Sequence, residues 1–179
     1  TPLNFRVDSS IRLDRIQVGG VWVYQFDQGN FFPLTDLAFG NYKTTNKNFH
    51  FTTEIQYFFQ YRGAERLDFN GDDDVWVFVN GRLAVDLGGT HGSATGVITL
   101  DPSDGSGYVC DFVAPGPPSP TSVCDSAART GGGHVVNLGL QRGALYEVAV
   151  FHAERHTSAS AYALTLAAAG TSRSSCSRK

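Results

Sequence analysis

The stretch GDDDVWVFVNGRLAVDL, residues 71–87, decides the fold that we expect for this chain. An Asn-Gly pair at 80–81 separates two apolar runs, and this is the strongest short-range signal of a β-hairpin because a type I′ turn needs positive φ at both central residues. A two-residue turn places two side-chain pairs on one face of the ladder. These pairs are Phe78 with Leu83 and Trp76 with Val85.

A second stretch, FHFTTEIQYFFQY at 49–61, alternates apolar and polar side chains along its whole length, as a half-buried strand does. One face carries Phe49, Phe51, Thr53, Ile55, Tyr57, Phe59 and Tyr61. Shorter strands are predicted at 21–26, 96–100, 145–152 and 161–168. No segment has helical periodicity. Many short strands with Gly-rich turns predict an all-β chain that folds as an antiparallel β-sandwich.

The overall composition excludes several classes of protein. The chain has 179 residues, a net charge of −3 and 41% hydrophobic residues, which favours one globular domain and argues against nucleic acid as a partner. No apolar run reaches the roughly 18–20 residues of a membrane span. The N-terminus has no signal-peptide pattern and the chain has no methionine, so we expect a processed product or an excised fragment.

We predict a single domain over 1–169, with a long irregular insertion at 101–133. The polar tail 170–179 is expected to begin a linker. Cys110 and Cys124 bracket a Pro- and Ser-rich part of the insertion. A disulfide there would close a loop of about 15 residues and stabilise the fold by roughly 3 kcal/mol, which implies an oxidising compartment.

The alternative for the insertion is two unpaired thiols in a loop. The third cysteine, Cys176, lies in the polar tail. We expect it to pair with neither of the others.

The run of aspartates Asp72, Asp73 and Asp74 stands directly before an apolar strand. Packed carboxylates raise one another's pKa and cost stability unless a cation lies among them. Hard cations prefer several carboxylate and carbonyl oxygens, so the run is a candidate Ca²⁺ loop. Its spacing is not that of an EF-hand. The alternative is a solvated acidic turn, in which Asp and Asn are common.

A second polar cluster, FHAERHTSAS at 151–160, lies between two apolar strands. In an extended chain His152, Glu154 and His156 point one way and Arg155 the other. A zinc site from the first three is an alternative interpretation. Arg155 is expected to bind a carboxylate with its guanidinium fork, with the aspartates as candidates.

A third cluster, DLGGTHG at 86–92, is a Gly-rich turn that contains His91. Its glycines would permit close approach of a ligand to the backbone. The alternative is that His91 is an ordinary turn residue with its hydrogen bonds satisfied locally.

The motifs GDDDVWVFVNG, DLGGTHG and FHAERH occur in this order and together resemble the fibro-slime domain. That family is a branch of the β-sandwich superfamily named after anthrax protective antigen. The resemblance covers 66–100 and 145–168 closely and 31–61 loosely. It implies a secreted or cell-surface module, often part of a larger adhesin, with yeast flocculins and other surface lectins among the wider relatives.

The resemblance also implies a site. The lectin relatives bind Ca²⁺ through two adjacent aspartates joined by a cis peptide bond, and these correspond to Asp72 and Asp73. Asp74 stands where many relatives have Gly. A second loop that completes the lectin site corresponds to 152–160, where this chain has Glu154, Arg155 and His156 in place of the expected Asn and carbonyls. The predicted metal ligands are therefore Asp72, Asp73, Asp74 and Glu154, and the predicted ligand-binding residues are His91, Arg155 and His156.

The function expected from these residues is a calcium-dependent carbohydrate-binding or adhesion module at the cell surface or outside the cell, with a glycan as partner. The alternative is a structural module in which Ca²⁺ only rigidifies the sandwich and the partner is another surface protein. We expect no enzyme, because no Ser-His-Asp order, nucleophile elbow or phosphate loop is present.

Overall fold

The computed structural model describes residues 4–89, 91–113 and 132–167, and this part of the chain forms β-strands and no helix. The all-β prediction is confirmed. No helix in these ranges is therefore long and apolar enough to cross a membrane. The strands are β1 Asp14–Val18, β2 Val21–Gln28, β3 Phe51–Gln60, β4 Arg66–Gly71, β5 Asp74–Val79, β6 Arg82–Leu87, β7 Ala94–Leu100, β8 Gly107–Val113, β9 His134–Val136, β10 Leu145–Glu154 and β11 Tyr162–Ala167.

The strands form two sheets in which every pair is antiparallel. The larger has the order β1-β2-β11-β4-β7-β8-β9 and the smaller β3-β10-β5-β6. One hydrophobic core contains buried side chains of both sheets. The sheets approach closely at Gly96 of β7, where an added Cβ would lie 2.2 Å from Cγ1 of Val85 in β6. The larger sheet contributes Leu67, Phe69, Ile98 and Leu164, and the smaller contributes Phe59, Val77, Val85 and Val150.

The β5–β6 hairpin has the predicted turn, since Asn80 and Gly81 have φ values of 52° and 69°. Phe78 lies opposite Leu83, as predicted. The predicted pairing of Trp76 with Val85 is wrong, because the register shifts between Phe78 and Val77 and leaves one extra residue in β6. Such a β-bulge displaces every pair that lies farther from the turn. Trp76 therefore faces Asp86, and Val85 faces Val77 in the core.

The strand predicted at 49–61 is confirmed, with the predicted face turned to the protein interior. The prediction of an irregular insertion at 101–133 is wrong in its first part, because β8 pairs along β7 in the larger sheet. Residues 114–131 and the tail from 168 onward lie outside the described part of the chain. Cys124 and Cys176 are among them, so the pairing of Cys110 with Cys124 stays a prediction.

Four connections that carry the chain between the sheets meet at one end of the fold. Tyr162, at the start of β11, lies opposite both Gln28 at the end of β2 and Gly71 at the end of β4. In the smaller sheet, the end of β10 lies beside the starts of β3 and β5. The four connections are 29–50, 72–73, 88–93 and 155–161. The three polar clusters of the sequence are thereby brought to the same end of the molecule.

Candidate metal site

The aspartate run lies at a tight corner between the two sheets. β4 of the larger sheet ends at Gly71 and β5 of the smaller sheet begins at Asp74, so Asp72 and Asp73 alone make the crossing. A Cβ added to Gly71 would lie 2.5 Å from Cγ2 of Val75. The corner therefore requires glycine at this position, and it holds the two aspartates at the end of the sheets.

The other wall of the site is the last part of β10. Its inward-facing row begins with the core residues Val148 and Val150 and continues, with the same period of two, into His152 and Glu154. These two polar side chains are only 1% and 3% exposed. A row that begins in the hydrophobic core thus ends in a buried imidazole and a buried carboxyl group.

Asp72, His152 and Glu154 form a cluster with the spacing of metal ligands. One carboxylate oxygen of each acid and one ring nitrogen of the histidine all lie within 4.8 Å of one another. Both ring nitrogens of His152 are buried without a hydrogen-bond partner. Such orphaned groups carry a desolvation cost. A cation about 2.0–2.6 Å from each donor would satisfy them, so the residues fit a divalent metal.

The electrostatics of the cluster also fit a cation. Burial, reinforced by the neighbouring Asp73 carboxylate, raises the pKa of Glu154 to about 7. Burial also tends to raise the pKa of Asp73, but hydrogen bonds with Glu154 and with the backbone N–H groups of Arg155 and His156 lower it overall. These two amides lie 2.8 and 3.0 Å from Oδ2 of Asp73. A cation would replace the proton that the two crowded carboxylates otherwise share.

Burial lowers the pKa of His152, and the charges of Asp72, Asp73 and Asp74 only partly oppose this effect. The imidazole is therefore neutral near pH 7, which is the form that binds metals. Its ring lies among the rings of Phe31, Phe51 and Tyr162, at centroid distances of 5.9, 5.9 and 5.8 Å. These aromatic side chains fix its place at the floor of the site. The partner of Asp72 is the backbone N–H of Ala161, 2.8 Å from Oδ1.

Asp74, one of the predicted metal ligands, is not brought into this cluster. Its Oδ1 accepts hydrogen bonds from the Gly89 amide at 2.8 Å and from Nη2 of Arg155 at 2.7 Å. Its Oδ2 lies 2.5 Å from Nε of Arg155. The expectation that Arg155 binds an aspartate through its fork is confirmed. Asp74 thus ties two of the connections, 88–93 and 155–161, to the start of β5.

Two of the predicted ligand-binding residues, His91 and His156, differ in the contacts that their ring nitrogens already make. Both ring nitrogens of His91 already face backbone carbonyls, those of Gly92 at 2.6 Å and Leu87 at 2.7 Å. His156 is exposed, and its Nδ1 is 2.7 Å from Oγ of Ser158. It does not belong to the cluster, so the zinc alternative of His152, Glu154 and His156 is not the arrangement found.

The sequence pointed to Asp72 and Glu154 as Ca²⁺ ligands, and it placed His152 only in the zinc alternative with Glu154 and His156, not beside Asp72. The signal was present, because the alternation of Val148 and Val150 continues unbroken into His152. The cis peptide bond that the resemblance implies between Asp72 and Asp73 is not found, since all peptide bonds between described residues are trans.

Comparison with known proteins places the chain beside parts of much longer proteins of Dictyostelium discoideum. It is 39% identical to protein psiE over 102 residues, 42% identical to protein psiQ over 106 residues, and 34% identical to protein psiH over 146 residues. These alignments cover 50%, 50% and 77% of this chain, but only 20%, 11% and 16% of the relatives. The chain thus spans a fifth or less of the length of these relatives. No family model matches the chain, and no solved structure matches it significantly.

Proposed function

We propose that this chain is a metal-dependent binding module, and not an enzyme, of a secreted or cell-surface protein, and that it recognises a carbohydrate. The observation that carries the proposal is the cluster of Asp72, His152 and Glu154, in which both ring nitrogens of His152 are buried and unpartnered. It lies where four connections between the sheets converge. The similarity to short parts of long proteins supports a modular role.

We propose that the two sheets form a β-sandwich of the protective-antigen type, as the fibro-slime resemblance implies. A single core with contributions from both sheets supports this assignment. We further propose a disulfide between Cys110, which is 4% exposed on β8, and Cys124. That bond would fasten the segment that follows β8.

The cation expected from the carboxylates is Ca²⁺. Asp72 and Glu154 supply carboxylate oxygens to the cluster, and Asp73 stands beside them. Calcium takes about 6–8 oxygen ligands, and Asp74 is withdrawn from the cluster by Arg155. Fewer carboxylates than the sequence predicted are therefore available, which leaves coordination positions for water or for sugar hydroxyls.

Two polar side chains beside the cluster would contact such a ligand. The side chain of Arg155 is 52% exposed, and its Nη1 takes part in none of its bonds to Asp74 and Gly89. His156 is exposed on the same connection and uses only Nδ1 internally. Both can donate hydrogen bonds to hydroxyl groups held on the metal.

Isothermal titration with Ca²⁺ tests the metal site. We expect binding by the wild type and its loss in Asp72→Asn, because the amide removes one anionic ligand. Asp14→Asn is the matched control, since Asp14 is exposed and lies in β1, which is not adjacent to the site in the sheet. Equal isotherms for Asp72→Asn and the wild type would remove Ca²⁺ as the cation of this site.

A glycan array, probed with and without chelator, tests the carbohydrate. Binding to a defined set of glycans that disappears with chelator and in Asp72→Asn would support the lectin function. Metal binding without any glycan binding would contradict it.

The second candidate is a structural metal that rigidifies the end of the fold. It is favoured by the burial of His152, Glu154 and Asp73, which are 1%, 3% and 8% exposed. The two candidates differ in whether water reaches the cation. Water-proton relaxation by Mn²⁺-loaded protein would show a bound, exchanging water for an open site and none for a closed one.

A further inference from the structure

We infer that His152 is a direct metal ligand, and that the site therefore prefers a first-row transition ion such as Zn²⁺ over Ca²⁺. This inference rests on the proposed metal site and concerns which cation that site takes. It depends on the imidazole nitrogen of His152, a type of ligand atom that the run of aspartates does not supply.

The geometry places the imidazole within the cluster. A ring nitrogen of His152 lies within 4.8 Å of carboxylate oxygens of both Asp72 and Glu154. Ligands about 2.0–2.2 Å from one zinc ion are themselves separated by roughly 3–4 Å, so small side-chain adjustments bring all three donors to an ion. Both ring nitrogens of His152 are buried and neither makes a hydrogen bond.

A buried imidazole without a hydrogen bond is unusual, because buried polar groups are nearly always paired. A structural histidine in this core would be expected to donate to a neighbour. Metal ligation accounts for one nitrogen. Thr53, opposite His152 on β3, has a buried and unpartnered hydroxyl that offers an acceptor for the other ring N–H, as metal-bound histidines commonly have.

The chemistry of the donor set determines the preference. Ca²⁺ is bound almost entirely by oxygen, whereas imidazole suits Zn²⁺ and other first-row ions. One nitrogen and two carboxylates form a three-ligand set of the size found in zinc sites that keep an open position. The two carboxylates of this cluster supply far fewer than the roughly 6–8 oxygens that Ca²⁺ takes, whereas three protein donors suffice for Zn²⁺.

The test is titration of the whole chain with Zn²⁺ alone and with Ca²⁺ alone, for the wild type and His152→Gln. We expect the wild type to bind Zn²⁺ at least about tenfold more tightly than Ca²⁺. Glutamine supplies a hard carbonyl oxygen instead of nitrogen, so the variant should lose at least about tenfold in Zn²⁺ affinity and retain its Ca²⁺ affinity. His50→Gln is the control for surface histidines, since His50 is exposed and outside the cluster.

Pulsed electron paramagnetic resonance of the Mn²⁺-loaded wild type gives a readout that needs no variant. Coupling to one directly bound imidazole nitrogen is expected, and its absence would overturn the inference. Tighter binding of Ca²⁺ than of Zn²⁺ by the wild type would also overturn it while leaving the proposed metal site intact. Failure of every tested cation to bind would instead remove the proposed site itself.

Discussion

Arg155 holds Asp74 in a two-pronged ion pair, with Nε 2.5 Å from Oδ2 and Nη2 2.7 Å from Oδ1. The two residues are 81 positions apart in the chain. Asp74 is 3% exposed, whereas the side chain of Arg155 is 52% exposed. The pair keeps one carboxylate of the aspartate run out of the metal cluster and fixes the connection after β10 to the start of β5.

Arg155→Gln is expected to lower the free energy of unfolding by about 1–3 kcal/mol, because it leaves the buried Asp74 carboxylate without its charged partner. The expected loss of unfolding free energy is smaller than for a fully buried ion pair, because the Arg155 side chain is partly solvated. Urea unfolding measures the change. Arg12→Gln is the matched control, since its pair with Asp14 is exposed on both sides and should contribute almost nothing. Equal losses in the two variants would contradict this role for Arg155.

The stability of the loop around His91 should depend on pH. Burial lowers the pKa of His91, but the carbonyls of Gly92 and Leu87 and the charges of Asp74 and Asp73 outweigh burial and raise it overall. A raised pKa means that the stabilisation is fully present below the unfolded-state pKa of about 6.5 and is lost as pH rises through the folded-state pKa.

Thermal unfolding of the metal-free protein between about pH 5.5 and pH 9 tests the role of His91. The wild type should lose stability above pH 6.5, and His91→Asn should lack this part of the pH dependence. His50→Gln should keep it. An unchanged pH profile in His91→Asn would show that the two carbonyl contacts do not select the imidazolium.

Gly96→Ala should destabilise the fold by about 1–3 kcal/mol, because the new methyl group would overlap Val85 of the facing sheet. Gly29→Ala is the control, since no atom lies within 4 Å of an added Cβ there. Denaturant unfolding of the two variants compares them directly. A neutral effect at Gly96 would mean that the sheets can move apart without cost.

Peptide mapping without reduction should recover Cys110 linked to Cys124, with Cys176 linked to neither. Reduction should then cost roughly 3 kcal/mol, the value for a closed loop of about 15 residues. A peptide that joins Cys176 to Cys110 would show instead that the C-terminal tail folds back on β8.

The sequence by itself determined the local structure. Alternation along 49–61 and along β10 defined which side chains face inward, because successive side chains of a strand point to opposite faces. The Asn80-Gly81 turn followed from the need for positive φ. These are short-range effects, and the structure reproduces them. Four strands were not predicted. β1, β4 and β9 are short or half-polar and have no strong pattern. β8 lies within the segment that was predicted to be an irregular insertion.

Only the tertiary structure decided the site. Asp72 meets His152 and Glu154 because β4 and β11 pair in one sheet while β5 and β10 pair in the other, so that two crossings lie side by side. Strand order depends on how the two apolar faces pack together, and no local pattern encodes it. The same packing brings Asp74 into its ion pair with Arg155 and buries His152 at the floor of the cluster. The alternating row of β10 thus fixed the direction of His152 and Glu154, but the pairing of strands about 80 residues apart in the chain determined that Asp72 meets them.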